Sequence, residues 1–513
     1  MKPKLGILAT VLIATLAINL DTTIVNVALP TMARELSAGT RGLQWIVDAY
    51  NLAFAGLVLA AGSLSDRFGR RPALVIGLVG FAAASTVGAF MGSAGALIAV
   101  RAVMGAFAAL IFPTTLSIIS NAFPDRRERA AALGAWGAVV GLGVAGGPVA
   151  GGLLLAHFVW GSVFLALAPV ALVAAGLTVA LVPESRDPSV PRLDLPGLAF
   201  SIGLLGLLVW TIIEAPANGW WSARTVGGFV GSAVLLVAFV LRERSAAHPM
   251  LDVSLFRDRR FSAASGAVTI TFFALFGFIF LITQYFQLIR GYSTLSAGAR
   301  TLPVALSIAV ASVIGARLAP RIGTKVVVTT GLLLFGTAFL WISTVGVDAA
   351  YGTVIVPQMV LMGLGMGAIS TPATESILLV LPPARAGVGS AVNDATRELG
   401  GTLGVAVVGS YFSSVYSAHL ASGAFGSLPA PALGQGKDSV GTAVAIAHGT
   451  PALLASVRDS FMAGLHAGSV LVAVVCLVGA VAALLFLPGR LPGTPASAGA
   501  EGAPQDVGLA QVG

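Results

Sequence analysis

The residue type most able to do chemistry in this chain is a carboxylate set among apolar neighbours. Asp21 lies in LDTTIVNVALP, Leu20 to Pro30, inside an apolar run that begins near Leu5 and is long enough to cross a bilayer. An acid there is costly and rarely idle. It stands about 13 Å of helix from Pro30, too deep for a short side chain to reach water. Loading and releasing a proton is the chemistry that such a site suits. The structural alternative is an Asp that reaches the surface or caps a short helix. Asp48, in QWIVDAYNLA, lies about 10 Å inside the outer end of the next run. At similar depth on neighbouring helices, the two acids are expected to face one water-filled cavity. Two carboxylates in one low-dielectric site cannot both ionise cheaply, which fits proton exchange at physiological pH. An acid that holds its helix through a structural partner is the other reading of Asp48.

Other polar groups recur at membrane depth. Asp394, Arg397 and Glu398 fall within about one helical turn, and the i, i+3 spacing of Asp394 and Arg397 allows mutual neutralisation. A structural pair and a substrate or proton site are both open there. Arg101 sits within a fourth run, where a side chain reaching the outer surface is one reading. Glu375 falls near the end of a run and reads as solvated. Asn26, Trp45, Tyr50, Asn51, Thr283, Gln284, Gln287 and Asn393 are candidate cavity-lining residues, with packing and interfacial anchoring as the alternatives.

Several chemistries are excluded by pattern. The five His residues, at 157, 248, 419, 448 and 466, show no metal-ligand spacing, and no Gly-Lys-Ser/Thr phosphate loop occurs. No Gly-x-Ser-x-Gly nucleophile elbow has a suitable context. Gly141-x-Gly143-x-x-Gly146 matches a dinucleotide fingerprint by letters only, because it lies in a membrane helix with no strand before it. Small residues at that spacing allow close helix packing, and Pro148 is expected to bend the helix. No catalytic residue, metal or cofactor is therefore expected, and ATP is not the energy source inside this chain. The lone Cys476 lies in the last apolar run and forms no disulfide framework.

The elements that position these groups follow from composition. Hydrophobic residues make up 57% of the 513 and charged residues 10%, against about 25% charged in soluble domains. Continuous apolar blocks of about twenty residues specify membrane helices rather than a β-barrel. Fourteen spans are predicted, at 5–30, 41–64, 72–91, 95–121, 131–155, 159–182, 196–214, 225–243, 261–289, 294–316, 326–345, 352–380, 386–417 and 460–486. The termini and every second loop carry 20 of the 29 Lys and Arg residues, and the opposite loops carry 7. Both termini are therefore expected in the cytoplasm. The +8 net charge reads as this topology signal and not as a nucleic-acid footprint. Residues 418–457 read as a long outer loop, rich in Gly, Ala, Ser and Pro and flexible.

The inner-loop stretch SLSDRFGRR, Ser63 to Arg71, has an echo in RLAPRIGTK, Arg317 to Lys325, 254 residues on. Arg67 matches Arg321, Gly69 matches Gly323 and Arg71 matches Lys325. Two six-helix halves, 1–182 and 257–487, are thus expected. Residues 183–256 carry an extra helix pair between them, and 488–513 form a low-complexity cytoplasmic tail. Duplicated halves of this kind build transporters with a binding site at their interface near the bilayer midplane.

Eight motifs in order give the sequence its resemblance. LDTTIVNVALP, QWIVDAYNLA, GSLSDRFGRRPAL (Gly62 to Leu74), Arg101 with Gly105, GLGVAGGPVAGG (Gly141 to Gly152), RLDLPG (Arg192 to Gly197), Gly291 with Ser296 to Gly298 and Pro303, and RELGGTLGVAVVGS (Arg397 to Ser410) all take part. Together they resemble the major facilitator superfamily, in its drug:proton antiporter family with fourteen spans. The resemblance implies an all-α fold in the cytoplasmic membrane and proton-coupled efflux of small lipophilic or cationic molecules. It implies proton coupling through Asp21 and Arg101, to which the depth of Asp48 adds a second candidate acid. It implies a gating loop of Gly62, Asp66, Arg67, Gly69, Arg70 and Arg71, with Asp66 locking the two halves on the cytoplasmic side in one state. The antiporter-type helix would use Gly141, Gly143, Gly146, Gly147, Pro148, Gly151 and Gly152. Expected partners are a small-molecule substrate, protons and the lipid bilayer, with no nucleic acid and a monomeric chain. A dedicated exporter of one metabolite or antibiotic is the main alternative, and a membrane sensor or enzyme a lesser one. The pattern departs from the family at Trp160, Gly161 and Leu167, and Asp48 stands where many relatives carry Thr.

Overall fold

A computed structural model describes residues 2–187, 193–380, 386–487 and 489. Arg192 of RLDLPG, Arg385 and nearly all of the C-terminal tail lie outside these residues. Among the described residues every regular element is helical, and fourteen helical segments are long and apolar enough to span a membrane. The first six spans are α1 (Lys2–Glu35), α2 (Thr40–Phe68), α3 (Arg70–Gly88), α4 (Ala94–Ala122), α5 (Arg126–His157) and the broken sixth, α6 (Ser162–Leu165) with α7 (Leu167–Leu181). The extra pair is α8 (Leu195–Asn218) and α9 (Ala223–Ser245). The remaining elements are α10 (Arg259–Gln284), α11 (Thr294–Ala299), α12 (Leu302–Ile322), α13 (Thr324–Ile342), α14 (Val356–Leu379), α15 (Ala386–Ser422), α16 (Ala430–Asp438), α17 (Val440–Ile446) and α18 (Pro451–Phe486). The end of the bundle that carries Lys4 and Phe486 is called the near end below, and the opposite end the far end.

The internal repeat is visible in the backbone. Gly69 and Gly323 both close a helix with positive φ, at 125° and 96°, where a side chain would be strained. A Cβ at Gly69 would meet Glu184 Oε1 at 2.7 Å, and one at Gly323 would meet the Gly489 carbonyl. Glu184 and Gly489 each lie three residues past the last helix of their own half, after Leu181 and Phe486. Each loop is thus docked against the chain leaving its own half.

The segment 418–457 is not the flexible loop that its composition suggests. α15 continues to Ser422, α16 and α17 follow, and α18 begins at Pro451. Phe425 is fully buried, and the Tyr416 hydroxyl donates to the Gly436 carbonyl at 3.0 Å. Ser439 caps α17 by accepting from the Thr442 N–H. A few apolar anchors in small-residue sequence, with a cap, are enough to fold it. It lies across the far end, where Gly39, after α1, packs against the Asp438 carbonyl.

The extra pair packs beside the seam between α2 and α15. Val209, Ile212 and Ile213 of α8 form an apolar cluster with Ala406 of α15, against which Trp45 and Leu52 of α2 pack. Arg41 of α2 pairs with Glu214 of α8 at 3.0 Å, and Trp220 Nε1 donates to Ser414 Oγ of α15. Below the pair, Arg242 grips Asp194 with a fork of hydrogen bonds, 2.8 Å at the shortest, which holds the Asp194 carboxyl below the usual carboxylate range.

Candidate functional site

Asp21 and Arg101 form an ion pair of 2.6 Å with both side chains buried. They come from different helices, α1 and α4. Arg101 Nε also donates to the Ile46 carbonyl of α2 at 3.0 Å, and its guanidinium lies 4.3 Å from the Tyr50 ring centroid. One guanidinium therefore ties three helices together. Asp21 Oδ1 and the Tyr50 hydroxyl are buried without a hydrogen-bond partner among the described residues. Gly105, one turn along α4, lets α2 approach: a Cβ there would overlap the Tyr50 carbonyl. Arg101 is 1% exposed, which overturns the reading of it as a side chain reaching for the outer surface.

Asp48 does not share this site. It is fully buried, and neither carboxylate oxygen has a partner among the described residues. Two positions from Tyr50 on a helix, it projects to the other side of α2. It lies instead on the face of Gln44, one turn away, which meets α15. The expectation of one water-filled cavity holding both acids is corrected here: depth along the helices was similar, but azimuth was not.

In the second half, Asp394 and Arg397 on α15 stand 3.8 Å apart, and the Arg397 guanidinium lies 4.6 Å from the Phe272 ring centroid. Asn393 accepts from Thr374 Oγ1 at 3.1 Å. Glu398, one position past Arg397, is half-buried, and Glu375 is exposed. Most of the other candidate lining residues are engaged in packing. The Asn26 and Gln284 amides donate to carbonyls of their own helices. Trp45 packs against the extra pair, and Asn51 is buried with its amide nitrogen unpartnered. Gln287 donates to the Val27 carbonyl of the other half at 2.9 Å.

The glycines of α5 serve two faces. Cβ atoms at Gly143, Gly147 and Gly151 would crowd Asn19, Thr23 and Ile24 of α1, so this stripe is a close helix contact. Gly152 faces Thr294 and Leu295, and the Pro148 carbonyl lies against Gly298, both across in the second half. Gly141 faces open space and Gly146 only loosely meets Leu20. The helix is continuous from Arg126 to His157 through Pro148.

The loop after α2 is held within its own half. Asp66 pairs with Arg70 at 2.7 Å, and its carbonyl accepts from the Asp187 N–H. The Arg70 N–H donates to the Ser185 carbonyl, and Arg71 donates to the Val179 carbonyl. Gly62 lies against Pro113 of α4, and Arg67 rests over the Phe68 ring. The residues that sequence reasoning passed over are neutral or distant in sequence. Gln44 stood inside a motif but carries no charge, and Glu214, Asp194 and Arg242 lie in the extra pair, where no repeat pointed to them.

Over residues 11–405 the chain matches the family described as Major Facilitator Superfamily. It is 36% identical to the multidrug efflux pump LfrA of Mycolicibacterium smegmatis, over 92% of this chain and 94% of that protein. It is 36% identical to the puromycin resistance protein pur8 of Streptomyces alboniger, over 81% and 83% of the two chains. It is 32% identical to the methyl viologen resistance protein SmvA of Salmonella typhimurium, over 89% and 92%. Its fold is similar to the crystal structure of a bacterial homolog of the human lysosomal transporter Spinster, with a TM-score of 0.65 at 16% identity, covering 96% and 99% of the chains. Fourteen spans, the duplicated halves with their paired glycine loops, and these relatives lead to one assignment: the chain is a membrane transporter, not an enzyme, and belongs to the major facilitator superfamily, among its fourteen-span drug-efflux members.

Proposed function

We propose that the protein exports small lipophilic or cationic molecules across the cytoplasmic membrane in exchange for protons, by alternating access. The observation that carries the reading is the buried Asp21–Arg101 pair. As an ion pair it is neutral overall and satisfies both charges in low dielectric. A proton arriving on Asp21 cancels the negative charge and leaves Arg101 a cation without its partner. The link between α1 and α4 then loosens, and with it the grip on α2 at Ile46 and Tyr50. Loss of the proton restores the clamp. The charge bias of the loops supports a cytoplasmic near end, with the joined far end facing outward. The packing of α5 against the second half at its far end supports the same reading. Cβ positions at Gly134, Gly137 and Gly141 meet nothing, whereas Gly152 packs across the seam. Asp48 serves as a second acid, reached by water when the seam of α2 and α15 opens.

Relatives named for resistance to methyl viologen and for multidrug efflux support cationic and varied substrates. A second reading, a dedicated exporter of one product, is supported by similarity to a tetracenomycin C resistance and export protein of Streptomyces glaucescens, 33% identical. A substrate panel in a pump-deficient host separates the two: resistance to one compound alone selects the second. The test of proton coupling is Asp21→Asn in energised inverted vesicles. Transport is expected to fall to background at normal expression, and full retained transport would falsify the role.

A further inference from the structure

Among the described residues, three side chains hydrogen-bond from one half to the other, and all three sit toward the far end. Gln287 donates to the Val27 carbonyl and Thr294 Oγ1 to the Gly152 carbonyl. The third is Gln44, which is fully buried on α2. Its amide nitrogen reaches three acceptors on α15: the Val405 carbonyl at 3.2 Å, the Ala406 carbonyl at 3.0 Å and Ser410 Oγ at 3.2 Å. Only the nitrogen side of the amide can donate to carbonyls, so these acceptors fix the orientation. Gly409 makes the room. A Cβ there would lie 2.7 Å from the Gln44 nitrogen, closer than real contacts allow.

From this geometry we propose that Gln44 is an amide latch, seated in the recess left by Gly409, that holds the far end of the two halves shut during the transport cycle. The inference rests on the alternating-access reading and deepens it by naming a positioning residue. Its placement suits a reversible contact. The carbonyls it reaches belong to helical turns and keep their own helical N–H donors, so breaking the latch unravels no helix. Its own Oε1 has no partner among the described residues while the seam is closed, an unmet acceptor that water satisfies once the seam opens. A neutral amide also avoids the desolvation cost that an ion pair would bring to a seam that must part and reseal. Asp48, one turn deeper on the same face, is shut away from water by the same closure.

The test reads shape rather than transport. Nitroxide labels at Phe90, exposed at the far end of the first half, and Thr344, exposed at the far end of the second, report the gap by pulsed dipolar spectroscopy on the purified full chain. The one native cysteine, Cys476, is buried. Gln44→Ala is expected to lower the closed-to-open ratio about tenfold, the scale of losing one to two net hydrogen bonds. Gly409→Ala should act in the same direction by expelling the amide. The double variant should match Gln44→Ala alone, because the added methyl then fills the vacated space. Gln44→Leu, of similar volume, checks that the effect is not a cavity or a folding failure, and it should open the gap as Gln44→Ala does. A closed-to-open ratio unmoved by Gln44→Ala and Gln44→Leu would overturn the latch alone. A wild-type gap that never changes with substrate or pH would overturn the alternating-access reading, and the latch with it.

Discussion

Each half of the molecule carries an arginine beside a buried aspartate, and the two pairs are built differently. Asp21 and Arg101 meet at 2.6 Å with both side chains sealed, and they come from two helices while the guanidinium also holds a third. Asp394 and Arg397 lie 3.8 Å apart, three residues apart on one helix, with the Arg397 side chain 19% exposed. A charge change in a pair on one helix alters local polarity but breaks no ion pair between helices, the Arg397 link to α10 being its stacked face on Phe272. A charge change in a pair that bridges helices alters how those helices are held. The same two residue types therefore form a bridge between helices in one half and a pair within one helix in the other.

The harshest way to break that comparison is to remove Arg101. Arg101→Ala leaves an unpaired carboxylate deep in the bundle, and thermal unfolding should show a loss of about 3–5 kcal/mol of stability. The matched Arg397→Ala should cost less, about 1–2 kcal/mol, because its buried partner already stands 3.8 Å away and loses little pairing. Equal losses for the two would erase the distinction drawn here. Since Arg101→Ala threatens folding, Arg101→Lys offers a milder reading. It keeps the charge but cannot reproduce the donor to Ile46 together with the stacked face on Tyr50. Vesicle transport should fall about tenfold while expression holds.

Much of this arrangement was legible in the residues. Apolar run lengths marked all fourteen spans, and a lone acid at depth marked Asp21. The repeat marked Gly69 and Gly323 because one backbone need, positive φ, recurs in both halves. What was hidden depended on azimuth and on distant partners. Helix rise gives the depth of Asp48 but not the side of α2 it faces, which the neighbouring helices fix. Gln44 acquires its meaning from residues 361 to 366 positions away. The folded far-end segment was hidden because its anchors, such as Phe425 and Val440, are few among glycine, alanine and serine.

A middle-sized effect sharpens the contrast at Asp48. It is buried without a hydrogen-bond partner among the described residues, on the face toward α15, so it should matter when the seam opens. Asp48→Thr is expected to reduce export of a cationic dye about threefold more than that of a neutral dye, since the substitution removes the carboxylate that a positive charge could meet on this face. Equal fractional losses for both dyes, at matched expression, would reduce Asp48 to a packing role. Smallest of all should be Asp394→Asn. It keeps shape and hydrogen bonding in a loosely paired site, and export should change by about twofold or less. A collapse of export with Asp394→Asn would place proton coupling in the second half and contradict the comparison.

The central claim, that Asp21 is the group whose proton is exchanged for substrate, is tested most directly by proton release on binding. Purified protein in weakly buffered detergent solution is mixed with a saturating cationic substrate, and the pH change is recorded. The account predicts release of protons by the wild type and none above the buffer blank by Asp21→Asn, with substrate binding confirmed in parallel by equilibrium dialysis. Undiminished proton release by an Asp21→Asn protein that binds substrate would contradict it.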